Sequence, residues 1–150
     1  MIFISYRISD ANQFVARLDD SLSVEFGRDA VFRDKTRIDG GQDWPQEIEQ
    51  NAKSRPIMLV VISKTWESAS FTQGKYKGYP RLHDPDDWVR REIGIAFNTS
   101  KTVIPILVDG TPMPGKAGVP PVPWTIYSLG LKPCIAVVAG SVLDISSSRS

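Results

Sequence analysis

The sequence predicts an α/β fold, a parallel sheet with helices on both faces. Four short apolar runs rich in β-branched residues recur within the first 109 residues: Ile2–Tyr6, Ala30–Arg33, Ile57–Ile62 and Val103–Val108. Between them lie segments whose apolar residues repeat at helical spacing. Strand and helix patterns alternating in this way imply parallel strands joined by crossover helices. The third run, Ile57–Ile62, has no polar residue, as a strand covered on both faces requires.

Each element has its own local reasons. Ile2–Tyr6 is β-branched and aromatic and ends where polar residues begin, which predicts a buried strand. Ser9 or Asp10 is placed to cap a helix whose inner face is Phe14, Leu18 and Leu22, and Gly27 is placed to end it. Ala30–Arg33 is the second strand. A polar loop from Asp34 to Asp43 follows and contains Gly40-Gly41. Asp43 caps the second helix in this reading, with Pro45 in the first turn, where a missing N–H costs nothing. Ile48 and Ala52 form that helix's inward face. After Ile57–Ile62, residues 67–85 mix Gly, Pro, Lys and Tyr without a period and predict a long surface loop. Asp86 or Asp87 then starts a third helix, with Val89, Ile93, Ala96 and Phe97 as its core stripe. Val103–Val108 is stopped by Asp109-Gly110. The outline is flavodoxin-like.

A length of 150 residues suits a single domain with one ordinary core. Eighteen basic and 17 acidic residues leave a net charge of +1, which offers no electrostatic case for nucleic acid or for an anionic membrane. A single cysteine, Cys134, excludes an intrachain disulfide and a Cys-based zinc cluster. The longest aliphatic run is far short of the roughly 20 residues that span a bilayer. The amino terminus lacks the basic start and small-residue cleavage site of a secretory signal. These features predict a cytoplasmic domain. Residues 110–150 differ in character, holding six of the 11 prolines and four of the 35 charges. Cys134–Ala139 is a candidate fifth strand, and no amphipathic closing helix follows it.

Phosphate-cradling and zinc-hydrolase motifs are absent from the chain, and Ser5, Ser63 and Cys134 lack an evident paired base. Three segments carry more. Tyr6 and Arg7 end the first strand, and open α/β sheets bind ligands outside the carboxyl ends of their strands. The charged loop from Asp34 to Trp44 leaves the second strand beside the same crevice, with Ile38 and Trp44 as anchors. In Asp87-Trp88-Val89-Arg90-Arg91-Glu92-Ile93, Glu92 lies about 60° round the helix from Val89, and Trp88 is its neighbour one turn earlier. That places the carboxylate at the edge of the buried stripe. Geometry alone leaves two readings open: a carboxylate with a raised pKa or a partner for positive charge, and a surface glutamate paired with an arginine a turn away.

In order, these segments resemble the Toll/interleukin-1 receptor (TIR) domain family, over about residues 1–109. Phe3-Ile4-Ser5-Tyr6-Arg7 is similar to its first-strand box. Asp34 to Trp44, with Ile38, Gly41 and Trp44, is similar to its BB loop. Trp88-Val89-Arg90-Arg91-Glu92 matches its WxxxE pattern, and Val103–Val108 resembles its fourth strand. The resemblance implies a three-layer TIR fold and a single TIR domain over 1–150. It also implies one of two functions. Some members are adaptors that recruit other TIR domains in immune signalling. Others, in plant immune receptors, an axon-degeneration protein and bacterial antiviral effectors, cleave NAD⁺ at the nicotinamide–ribose bond. Similarity to the bacterial-type NAD-cleaving branch makes Glu92 the catalytic residue. Tyr6, Arg7, Asp34 and Trp88 are then substrate contacts, and Ile38, Asp39, Gly41 and Trp44 act in assembly with other TIR domains. NAD⁺ is then substrate, with no cofactor and no metal. A phospho-receiver on the same outline is disfavoured, because Tyr6-Arg7 and Ser63-Lys64 stand where its acidic cluster and phosphoacceptor belong.

Overall fold

The computed structural model describes residues 1–33, 46–112 and 135–137. In chain order the elements are β1 (Ile2–Ser5), α1 (Ile8–Phe26), β2 (Val31–Arg33), α2 (Gln46–Ser54), β3 (Ile57–Ile62), α3 (Trp88–Asn98), β4 (Thr102–Val108) and β5 (Ile135–Val137). The strands form one parallel sheet in the order β2-β1-β3-β4-β5. β1 is an inner strand, in register with β2 at Ile2↔Val31 and with β3 at Ser5↔Val60. This is the flavodoxin-like order, whose winding reverses between β1 and β3. The crevice outside the carboxyl ends of those two strands is where such sheets bind ligands.

The strand pleat sorts side chains into two cores. Ile2, Ile4 and Tyr6 join Leu59, Val61, Ile106 and Val108 under Ala11 and Val15 of α1. Phe3, Met58, Val60, Ile62, Val103 and Leu107 pack on the other face, against Ile48 and Ala52 of α2 and Val89, Ile93 and Ala96 of α3. α1 therefore covers one face of the sheet, and α2 and α3 cover the other. Each fully buried aliphatic or Phe side chain contributes about 1.5–3 kcal/mol to this arrangement. The stripes expected on the three helices are the ones that face inward. Among the described residues, no helix is long and apolar enough to cross a membrane.

Two details differ from the sequence-based expectation. α1 starts at Ile8 without a side-chain cap, and Arg7 occupies the N-cap position in extended backbone. The guanidinium of Arg7 is tied to neighbouring elements, so the chain turns into helix directly behind it and Ser9 falls inside the first turn. The other end agrees: Gly27, at φ 91°, closes α1 by donating its N–H to the Ser23 carbonyl at 3.0 Å. Residues 67–85 are more ordered than a plain surface loop. Ser70 and Pro80 form an antiparallel bridge, Arg81–His83 make a 3-10 turn, and Leu82 is buried in the α3-side core. Leu82 anchors the segment, and Phe71, Tyr76 and Tyr79 make ring contacts with one another within it. α3 begins at Trp88, and Asp87 caps it by accepting from the Arg90 N–H at 3.0 Å. β5, Ile135–Val137, falls within the expected Cys134–Ala139, whose other residues lie outside the described ones. The expected cap at Asp43, with Pro45 behind it, and the segment after Val137 lie outside the described residues.

Candidate active site

The pleat decides which residues of the first strand meet α3. Ile2, Ile4 and Tyr6 point toward α1, so Phe3, Ser5 and Arg7 fall on the α3 side. Ser5 Oγ donates to Glu92 Oε2 at 2.6 Å, a contact between two side chains 87 positions apart in sequence. Both residues are 0% exposed. Two influences act on this carboxyl in opposite directions. Burial disfavours its ionised form, and the hydroxyl donated by Ser5 favours it. The expected position of Glu92 at the edge of the stripe is thus corrected, because the carboxylate lies inside the core layer between α3 and β1. Its burial also excludes the reading as a surface glutamate.

A second polar cluster holds the start of α3. Arg7 Nη1 and Nη2 donate to Asp87 Oδ2 and Oδ1 at 3.0 and 3.3 Å, a two-pronged buried pair. Arg7 Nε donates to the carbonyl of Trp66 at 3.2 Å. Arg81 Nε lies 3.7 Å from Asp87 Oδ2. Arg90 Nη1 donates to the carbonyls of Leu82 and His83, at 3.3 and 2.7 Å, and Arg91 pairs with Asp86. One strand end, one loop and the first turn of α3 are thereby tied together, one helical turn before Glu92.

The structure brings some of the anticipated site residues together and separates others. Glu92 and Trp88 share one side of α3, and the half-buried Trp88 ring packs against the α3-side core. Arg7 lies on the same side of the sheet as Glu92 but is 5% exposed, with its guanidinium engaged by Asp87 and Trp66. Tyr6 is 1% exposed and belongs to the α1-side core, so the sheet stands between its ring and Glu92. Neither Tyr6 nor Arg7 offers a surface to a ligand in this state. Asp34, Ile38, Asp39, Gly41 and Trp44 lie outside the described residues. Ser5 and Asp87 were not anticipated as site residues. The available signal for Ser5 was a lone hydroxyl inside an otherwise apolar buried strand. For Asp87 it was the helix cap, which sequence reasoning found without its second role.

Residues 2–128 match the family model described as TIR domain. Among solved structures, the chain is similar to the TIR domains of the activated Roq1 resistosome directly recognizing the pathogen effector XopQ. That likeness has a TM-score of 0.48 at 20% sequence identity, covering 72% of this chain and 57% of the other. The chain thus spans a little over half the length of the one it matches.

Proposed function

The chain belongs to the TIR domain family, and from that premise we propose that it cleaves NAD⁺ at the nicotinamide–ribose bond, like the family's bacterial-type enzymes. The observation that most supports this reading is Glu92, a carboxyl with no exposed surface held against the carboxyl end of β1. Removing an ionised carboxylate from water costs several kcal/mol. An apolar side chain at that position is the more stable choice for a fold that makes no use of the charge. An ionisable group kept at such cost, beside the reversal in sheet winding, has the character of a functional site.

The chemistry suits one carboxylate. As the bond between ribose C1′ and the pyridinium nitrogen breaks, its electron pair returns to the ring and nicotinamide departs neutral. Positive charge then builds on the ribose, and the Glu92 carboxylate stabilises it electrostatically. Water adds to C1′ and loses a proton to give ADP-ribose, or an internal nucleophile closes a cyclic product. Trp88 supplies an aromatic wall one turn away. Because Glu92 and Arg7 are enclosed, the sugar reaches them only after the surrounding side chains part. We assign that opening to association with further TIR domains, through the loop carrying Ile38, Asp39, Gly41 and Trp44, with Asp34 at its start.

The test is nicotinamide release from NAD⁺ by purified protein crowded on beads, with folded Glu92→Gln beside it. The parent turns over, and the variant loses about 10²–10³-fold or more in rate, as when a preorganised electrostatic group is removed. Silence from both proteins, with self-association intact, replaces this reading with that of a signalling adaptor.

A further inference from the structure

Glu92 is the one residue on which the proposed chemistry depends, and the fold treats it in a specific way. Its Oε2 receives the Ser5 hydroxyl at 2.6 Å, and neither side chain meets solvent. The charged groups near it make contacts of their own. Arg7 and Arg81 face Asp87, Arg90 reaches the carbonyls of Leu82 and His83, and Arg91 pairs with Asp86. β3 and β4 carry no titratable side chain. α2 turns Ile48 and Ala52 inward, while its Glu49 and Lys53 pair with each other on the outside. On β1, the hydroxyl of Ser5 is the group that reaches the carboxylate.

We propose that Ser5 is a positioning residue, whose hydroxyl keeps the Glu92 carboxylate ionised and fixed in one rotamer for its work on the sugar. The proposal rests on the hydrolase reading and adds a second residue to it. Ser5 acts through Glu92 and touches no reacting atom. A charge-assisted hydrogen bond in a buried site favours the ionised partner, so its loss makes the carboxyl harder to ionise. Ser5 itself is fixed by the sheet, on an inner strand that pairs with β2 on one side and β3 on the other. Removal of the hydroxyl therefore changes the pH response of Glu92 more than it changes substrate binding.

The experiment uses the full chain as wild type, Ser5→Ala and Ser5→Thr, each checked for folding by its thermal transition. With ¹³C-labelled glutamate, the Glu92 carboxyl is identified by the signal that Glu92→Gln removes, and its titration is followed by NMR. In Ser5→Ala the midpoint rises by about one pH unit. The acid limb of the pH–rate profile for nicotinamide release rises with it, while KM is unchanged. Ser5→Thr, which restores a hydroxyl, returns both toward wild type. Equal midpoints in wild type and Ser5→Ala overturn the proposal, as does a shifted midpoint that leaves the pH–rate limb in place. Absence of turnover in wild type removes the hydrolase reading, and the titration then still decides whether Ser5 governs Glu92.

Discussion

Asp87 does three things at once. It caps α3 through the Arg90 N–H, accepts both terminal nitrogens of Arg7, and faces Arg81. The pair with Arg7 is buried, so the attraction between the charges works against a large desolvation cost. Removing one partner strands the other, and that is the expensive change. Asp87→Ala is expected to lower stability by about 3–5 kcal/mol in urea unfolding. Arg7→Met with Asp87→Leu, which removes both charges, is expected to lose less than the sum of the two single changes. An additive double variant argues against coupling. In sequence, Asp87 was legible as a cap because it immediately precedes a helical stripe. Its pairing with Arg7 was not legible, because the two residues are 80 positions apart and meet only when α3 packs across β1.

At the scale of elements, α2 and β4 are joined by one lysine. Lys101 Nζ donates to the carbonyls of Lys53 and Arg55, at 2.6 and 2.5 Å. These lie at and just beyond the end of α2, where helix carbonyls lack partners and the dipole is negative. Burial lowers the Lys101 pKa. The unfolded chain therefore binds more protons than the folded one between that lowered value and the ordinary lysine value. This residue's contribution to stability accordingly rises with pH through that window. Lys101→Met is expected to cost about 1 kcal/mol at neutral pH, and roughly 2–4 °C in melting temperature. It should also flatten the rise in stability across the alkaline window. An unchanged melting curve would mean that the contact contributes nothing. The elements themselves were largely legible, since β3 and the inward stripes of α2 and α3 follow from hydrophobic spacing. The start of α1 was not, because the tether on Arg7 overrides the local capping preference of Ser9.

On the scale of the whole molecule, one sheet serves two cores. β1, β3 and β4 each send alternate residues to the α1 side and to the α2/α3 side. Neither layer keeps its partner if the sheet is lost, so the two faces are expected to unfold together. Ile4→Ala, on the α1 side, and Ile93→Ala, on the α3 side, should each cost about 2–5 kcal/mol. Both should move the same single calorimetric transition to lower temperature. Two peaks that shift independently would falsify this linkage.

The sequence alone determined the alternation of strands and helices, the placement of the inward stripes and the family. Each of these is written in local periodicity or in a motif a few residues long. It also singled out Glu92, because WxxxE is a short pattern on one helix. Tertiary structure alone decided what surrounds that carboxylate. The strand pleat turns Ser5 and Arg7 toward α3 and Tyr6 away from it, and the packing of α3 on β1 encloses Glu92 instead of leaving it at an edge. A period of two fixes which residues share a face, but which helix covers that face depends on the order of strands in the sheet. That order follows from the packing of the whole chain, and no local stretch of it contains the information.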